Sequence, residues 1–67
     1  MKIQKYTAYC AGEFISKEGG ELVMRSARFS SICYFNTEEE AKKAALKMGK
    51  YGYEISDFDI DMAVLTV

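Results

Sequence analysis

The chain has 67 residues, 49% hydrophobic, 28% charged and 13% aromatic, a globular composition with room for one domain, spanning 1–67, and no second core. Nine basic against ten acidic residues leave a formal charge of -1, so no global positive field draws the chain to nucleic acid, nor is it a polyanion. It contains no histidine, which removes the commonest general base and the commonest zinc ligand, and no cofactor or metal is expected. No apolar run approaches the roughly 20 residues of a membrane span, and Met1 to Lys5 lacks the apolar core of a signal peptide; a soluble, cytoplasmic protein is expected.

Ile3 to Ile15 and Leu22 to Phe35 are rich in Tyr, Phe, Ile, Val and Thr, and Gly19-Gly20 between them can take the positive φ of a tight turn. A hairpin is predicted with Glu18 opposite Glu21. That register sends Tyr6, Ala8, Cys10, Phe14, Val23, Ala27, Phe29, Cys33 and Phe35 to the core, and leaves Ile3, Lys5, Thr7, Tyr9, Glu13, Met24, Ser26, Arg28, Ser30, Ile32 and Tyr34 on the other face. Cys10 and Cys33 then lie about 13 Å apart along the strands and are read as unbridged small hydrophobes.

Thr37-Glu38-Glu39-Glu40 is a helix start, with Thr37 as the cap and Glu40 reaching back to the cap amide. Ala41, Ala44, Ala45 and Met48 form one apolar stripe, Glu38/Lys42 and Glu39/Lys43 are favourable i,i+4 pairs, and Gly49 or Gly52 ends the helix. From Glu54 to Val67 the period returns to two. Phe58, Ile60, Met62, Val64 and Thr66 make one row; Asp57, Asp59, Asp61, Ala63, Leu65 and Val67 make the other. The expected fold is therefore α+β with order β-β-α-β: a three-stranded antiparallel sheet in spatial order 2-1-3, one helix on one face, and the last strand antiparallel beside the first and parallel to the second.

Asp57-x-Asp59-x-Asp61 has the opening of a calcium loop but places Met62 where that loop needs glycine. On a strand the three would stand about 6.8 Å apart as an acidic ridge near Glu54, either keeping the strand soluble and discouraging edge pairing or receiving the basic groups of a partner. An open strand gives such carboxylates no means of separating their pKa values, so acid/base catalysis is not expected. Tyr9, Arg28 and Tyr34 interleave rings and cations on the outer face, a pattern suited to protein contact and, less directly, to stacking single-stranded bases. The second strand lies at an edge without proline, open to a homodimer.

A chain of this size that opens Met-Lys-Ile-Gln-Lys-Tyr and continues as hairpin, Thr37-Glu38-Glu39-Glu40-Ala41-Lys42-Lys43 helix and final strand resembles, in architectural style, the small phage-encoded anti-CRISPR and counter-defence proteins. That group shares no single fold or site, so no residue role is carried over, and the near-neutral charge departs from its acidic DNA mimics. The resemblance implies a stoichiometric inhibitor on the surface of a bacterial nucleoprotein complex. The leading expectation is a non-enzymatic module binding a protein or nucleoprotein complex, with Glu54, Asp57, Asp59 and Asp61 toward a basic surface and Tyr9, Arg28 and Tyr34 as anchors. The alternative is a single-stranded nucleic-acid-binding domain using the outer sheet face, for which Lys5, Arg28 and Lys2 supply too little charge for tight binding.

Overall fold

A computed structural model describes residues 1–26 and 31–67. The strands are β1 (Lys2–Cys10), β2 (Glu13–Glu18), β3 (Glu21–Ser26) and β4 (Asp59–Thr66), with helix α1 (Glu38–Lys47) between β3 and β4. They form a four-stranded antiparallel sheet in the order β3-β2-β1-β4. The fold is α+β with one helix, as expected, but the sheet has one strand more than the sequence suggested.

The extra strand comes from a turn at Ala11-Gly12. Both residues have positive φ, 49° and 84°, which a two-residue hairpin loop requires, and Cys10 pairs with Glu13 across it. What looked like one strand from Ile3 to Ile15 is thus two. The added reversal also makes β4 antiparallel to β3 rather than parallel to it. The neighbour relation of the last strand to the first stands: β4 pairs antiparallel with β1 from Lys2↔Thr66 to Tyr9↔Asp59.

The second turn, at Gly19-Gly20, lies where it was predicted, with Glu18 opposite Glu21 and the register stepping outward to Glu13↔Ser26. The inward set is nevertheless inverted in β2 and β3. A two-residue loop puts even-numbered residues of β1 on the same face as odd-numbered residues of β2, so Ile15 and Met24 enter the core in place of Phe14 and Val23. Ala27 and Phe29, also expected inside, lie outside the described residues.

The core consists of Ala8, Ile15, Met24 and Phe58 packed against Ala44, Ala45 and Met48, with Cys10, Leu22, Phe35, Tyr53 and Ile60 at its margin. Alanines let the α1 backbone approach the sheet closely, so the larger side chains come from the strands. The helix begins as predicted: Thr37 Oγ1 accepts from the Glu40 N–H at 3.1 Å. The return bond differs by one residue, since the Glu40 carboxylate accepts from the Asn36 N–H at 3.1 Å and not from that of Thr37. Of the two expected i,i+4 pairs, Glu38 and Lys42 lie 3.9 Å apart. A 3₁₀ turn over Met48–Tyr51 continues the helix and Gly52, in the left-handed region, closes it.

β1 and β2 pair directly only beside their turn; beyond it they splay, and residues 31–35 fill the opening. The Lys17 N–H donates to Ser31 O and the Cys33 N–H to Ile15 O, while Tyr6 and Phe35 exchange two bonds of 2.8 Å. The expected continuous strand to Phe35 therefore becomes a wedge that bonds first β2, then β1. Cys33 sits half-buried in it, and both cysteines are free. No helix among the described residues is long and apolar enough to cross a membrane.

Candidate binding surface

Directly opposed residues in an antiparallel pair share a face, so the register sorts the candidate residues. Tyr9 opposes Asp59 and Phe14, and Thr7 opposes Asp61; all five lie on the sheet face turned away from α1. The acidic row and the ring of Tyr9, read from the sequence as parts of separate surfaces, are neighbours on one. The rings of Tyr9 and Phe14 are 4.9 Å apart at 59°, and both residues are half-buried. Phe14 was not anticipated here; the signal was Gly12, which resets the face of every residue after it.

Asp59 and Asp61 are exposed and project on alternate positions of β4, about 6.8 Å apart. Among the described residues neither carboxylate has a salt bridge or a side-chain hydrogen bond. The cations of the same face are engaged elsewhere. Arg25 grips Glu18 with Nε and Nη2 at 2.9 and 3.0 Å, and Lys5 Nζ donates to Asn36 Oδ1. The surface around Tyr9 and Phe14 is thus aromatic at its centre and negatively charged along the β4 side.

The remaining predicted residues do not join it. Asp57 is not on a strand: it ends a 3₁₀ turn, Ile55–Asp57, where its carboxylate accepts from the Glu54 N–H at 3.0 Å and its own N–H donates to Glu54 O at 2.9 Å. The acidic ridge is accordingly two residues long, and Glu54 belongs to the connection before β4. Tyr34 is 45% exposed in the wedge between the Ile32 and Phe35 bridges. Arg28 lies outside the described residues.

Two shallow grooves lie among the described residues, the first reaching the border of this face at Arg25. One of about 290 Å³ is lined by Glu13, Val23, Met24, Arg25, Tyr51 and Tyr53. In it the Tyr53 hydroxyl donates to Glu13 Oε1 at 3.5 Å; desolvation, with the Glu13 charge next, raises the phenol above its ordinary value. The other, about 390 Å³, has Lys17, Lys43 and Lys47 around Leu22 and Phe35. Burial raises the Cys33 thiol pKa, and the nearby Lys17 charge opposes that rise. Among the described residues no three His, Cys, Asp or Glu side chains gather as metal ligands.

No protein-family model, curated protein or solved structure matches the chain.

Proposed function

We propose that this chain is a non-enzymatic protein-binding module that uses the sheet face around Tyr9, Phe14, Asp59 and Asp61 to hold a basic partner surface. The observation that carries the reading is the pair of uncompensated Asp59 and Asp61 carboxylates beside a Tyr9–Phe14 ring pair, on a face whose described cations are tied to Glu18 and Asn36. Aromatic side chains supply contact area at small entropic loss, and unpaired carboxylates beside them select lysine or arginine. The same charges repel phosphates, which favours protein over single-stranded nucleic acid. Two free thiols fit a reducing compartment such as the cytoplasm.

The narrower reading, an inhibitor of a bacterial nucleoprotein complex of the anti-CRISPR kind, rests on chain size and element order. The test is affinity capture from a bacterial lysate with the native chain, Tyr9→Ala and Asp59→Lys/Asp61→Lys, each checked for unchanged circular dichroism. A protein retained stoichiometrically by the native chain and lost by both variants supports the reading. Equal retention by all three sinks it, as does steeply salt-dependent binding of a single-stranded oligonucleotide.

A further inference from the structure

The sheet has two edges, β3 and β4, and they are not equivalent. Along β3 the outward carbonyl of Met24 accepts from Arg25 Nη1 at 3.1 Å, and the same guanidinium holds Glu18, so a charged side chain lies across the edge. That is how natural sheets discourage strand addition. The homodimer expected through this part of the chain therefore meets a guarded edge.

Among the described residues no side chain lies across the β4 edge in this way, and its two charges, Asp59 and Asp61, stand on the sheet face turned away from α1. Its outward groups follow from the alternation of an antiparallel ladder. Met1 and Val67 exchange bonds, Val67 N–H to Met1 O at 2.9 Å and the Met1 amino group to Val67 O at 3.2 Å. Stepping by two, Leu65, Ala63, Asp61 and Asp59 turn their backbone groups toward β1, while Thr66, Val64, Met62 and Ile60 turn theirs outward. Tyr6 supplies an independent check. Opposite Met62, it spends both its N–H and its C=O on Phe35, on the side away from β4, as the alternation demands. No described residue bonds the outward groups of Ile60, Met62, Val64 or Thr66. Their side chains share the α1 face, yet Met62 is 55% and Val64 52% exposed, because the helix does not reach them.

We infer that β4 is a pairing edge for a second copy of this chain, joined antiparallel about a two-fold axis at Ala63. That register sets Met62 against Val64 and Ile60 against Thr66, each twice, so all four outward residues donate and accept across the interface. It covers the exposed methionine and valine with each other. On the opposite face Ala63 meets Ala63 of the second copy, small enough for the close non-hydrogen-bonded position, and Asp61 faces Leu65. The two Asp61 carboxylates then stand four residues apart, about 13 Å, beyond the ~8 Å Debye length at physiological salt. A net charge of -1 per chain adds little repulsion. A foreign strand could use the same backbone groups, but the chain's own β4 already satisfies side chains, backbone and charge together. The joined sheet has eight strands, two copies of the four seen here, with β3 at both ends.

Sedimentation equilibrium of the native chain over roughly 1 µM to 1 mM, where small interfaces are half-formed, should give a mass rising from 7.6 kDa toward twice that value. Val64→Pro removes an N–H that bonds nothing within the fold, so it should stay folded and remain monomeric. Met62→Lys, at an exposed position, should do the same. Amide exchange on the native chain makes the reading independent of how either variant folds. The amides of Ile60, Met62, Val64 and Thr66 should slow about ten-fold or more between dilute and concentrated samples. A chain that stays monomeric at 1 mM, a dimer in which those four amides still exchange fast, or protection appearing only when another protein is added would each overturn the proposal.

Discussion

Tyr9 of β1 stands directly opposite Asp59 of β4, and Phe14 of β2 flanks the same tyrosine from the other side. One strand position thus joins an aromatic pair to an acidic row. Because Asp59 and Asp61 are exposed and make no described ion pair, their contribution to folding is small, and a double variant that removes both charges, Asp59→Asn/Asp61→Asn, should change unfolding free energy by less than about 0.5 kcal/mol. The same variant should weaken partner binding at least ten-fold. Chemical denaturation alongside a binding titration checks both; a large stability loss would assign the carboxylates to the fold.

The Tyr9 and Phe14 rings meet tilted at 59°, 4.9 Å between centroids, a geometry in which one ring edge faces the other's electron-rich face. A double-mutant cycle of Tyr9→Leu and Phe14→Leu should return a coupling of about 0.5–1.5 kcal/mol. Additivity within error would show that the rings act only through buried area.

Ala11 occupies the left-handed region at φ 49° in the first turn, where an L-residue other than Asn or Asp is disfavoured by about 1–2 kcal/mol. Ala11→Asn should therefore raise stability by about 0.5–1 kcal/mol, read as a higher denaturation midpoint at unchanged slope. Gly12→Ala, at φ 84°, should lower it by a similar amount. If both substitutions proved neutral, the turn would have another conformation in solution.

That turn also marks the limit of what the residue pattern alone reveals. Gly19-Gly20 announces its hairpin, since two adjacent glycines at positive φ serve few other purposes, and the β2–β3 register follows from it. The capped helix and its alanine stripe were equally legible, because spacing of three and four residues has one structural meaning. Ala11-Gly12 was less legible, since a single glycine after an alanine is a weaker turn signal than two adjacent glycines and β-formers resume at Phe14 and Ile15. Missing one reversal shifted the inward face by one residue through β2 and β3, moving Phe14 from the expected core to the outer face. Asp57 misled for a different reason: its alternation with Asp59 and Asp61 suits a strand, but its carboxylate closes a turn on the Glu54 N–H. From Asp59 to Thr66 the expected alternation holds, and with it the placement of Asp59 and Asp61 on a common face, but the strand begins at Asp59 and not at Glu54.

The entrance to α1 rests on two side chains. Thr37 Oγ1 satisfies the Glu40 amide and the Glu40 carboxylate satisfies that of Asn36, while Glu38 and Glu39 lie at the positive end of the helix. Thr37→Ala should lose about 1 kcal/mol, a fall of roughly 4–8 °C in Tm for a domain of this size. Thr37→Ser should retain nearly all of it. Calorimetry of the three chains separates the lost hydrogen bond from any change in packing, which both substitutions share.

Tyr53 links folding to alkaline pH. Desolvation, the charges of Glu13 and Cys10 and the bond to Glu13 all raise its phenol above the ordinary value of 10.0 in the folded chain. A group whose folded pKa is raised binds its proton more tightly folded than unfolded, so its stabilising effect is complete below pH 10 and disappears as pH climbs through the higher folded value. Stability should consequently decline with rising pH above about 10. Tyr53→Phe keeps the ring against Phe58 but has no proton to lose, and its curve should be flatter over that interval. Urea titrations at pH 8, 9, 10 and 11 on both chains provide the comparison, with the other tyrosines common to each. Parallel declines would mean that the Tyr53 hydroxyl titrates alike in the folded and unfolded chain, and that its contact with Glu13 contributes nothing to holding the helix exit against β2.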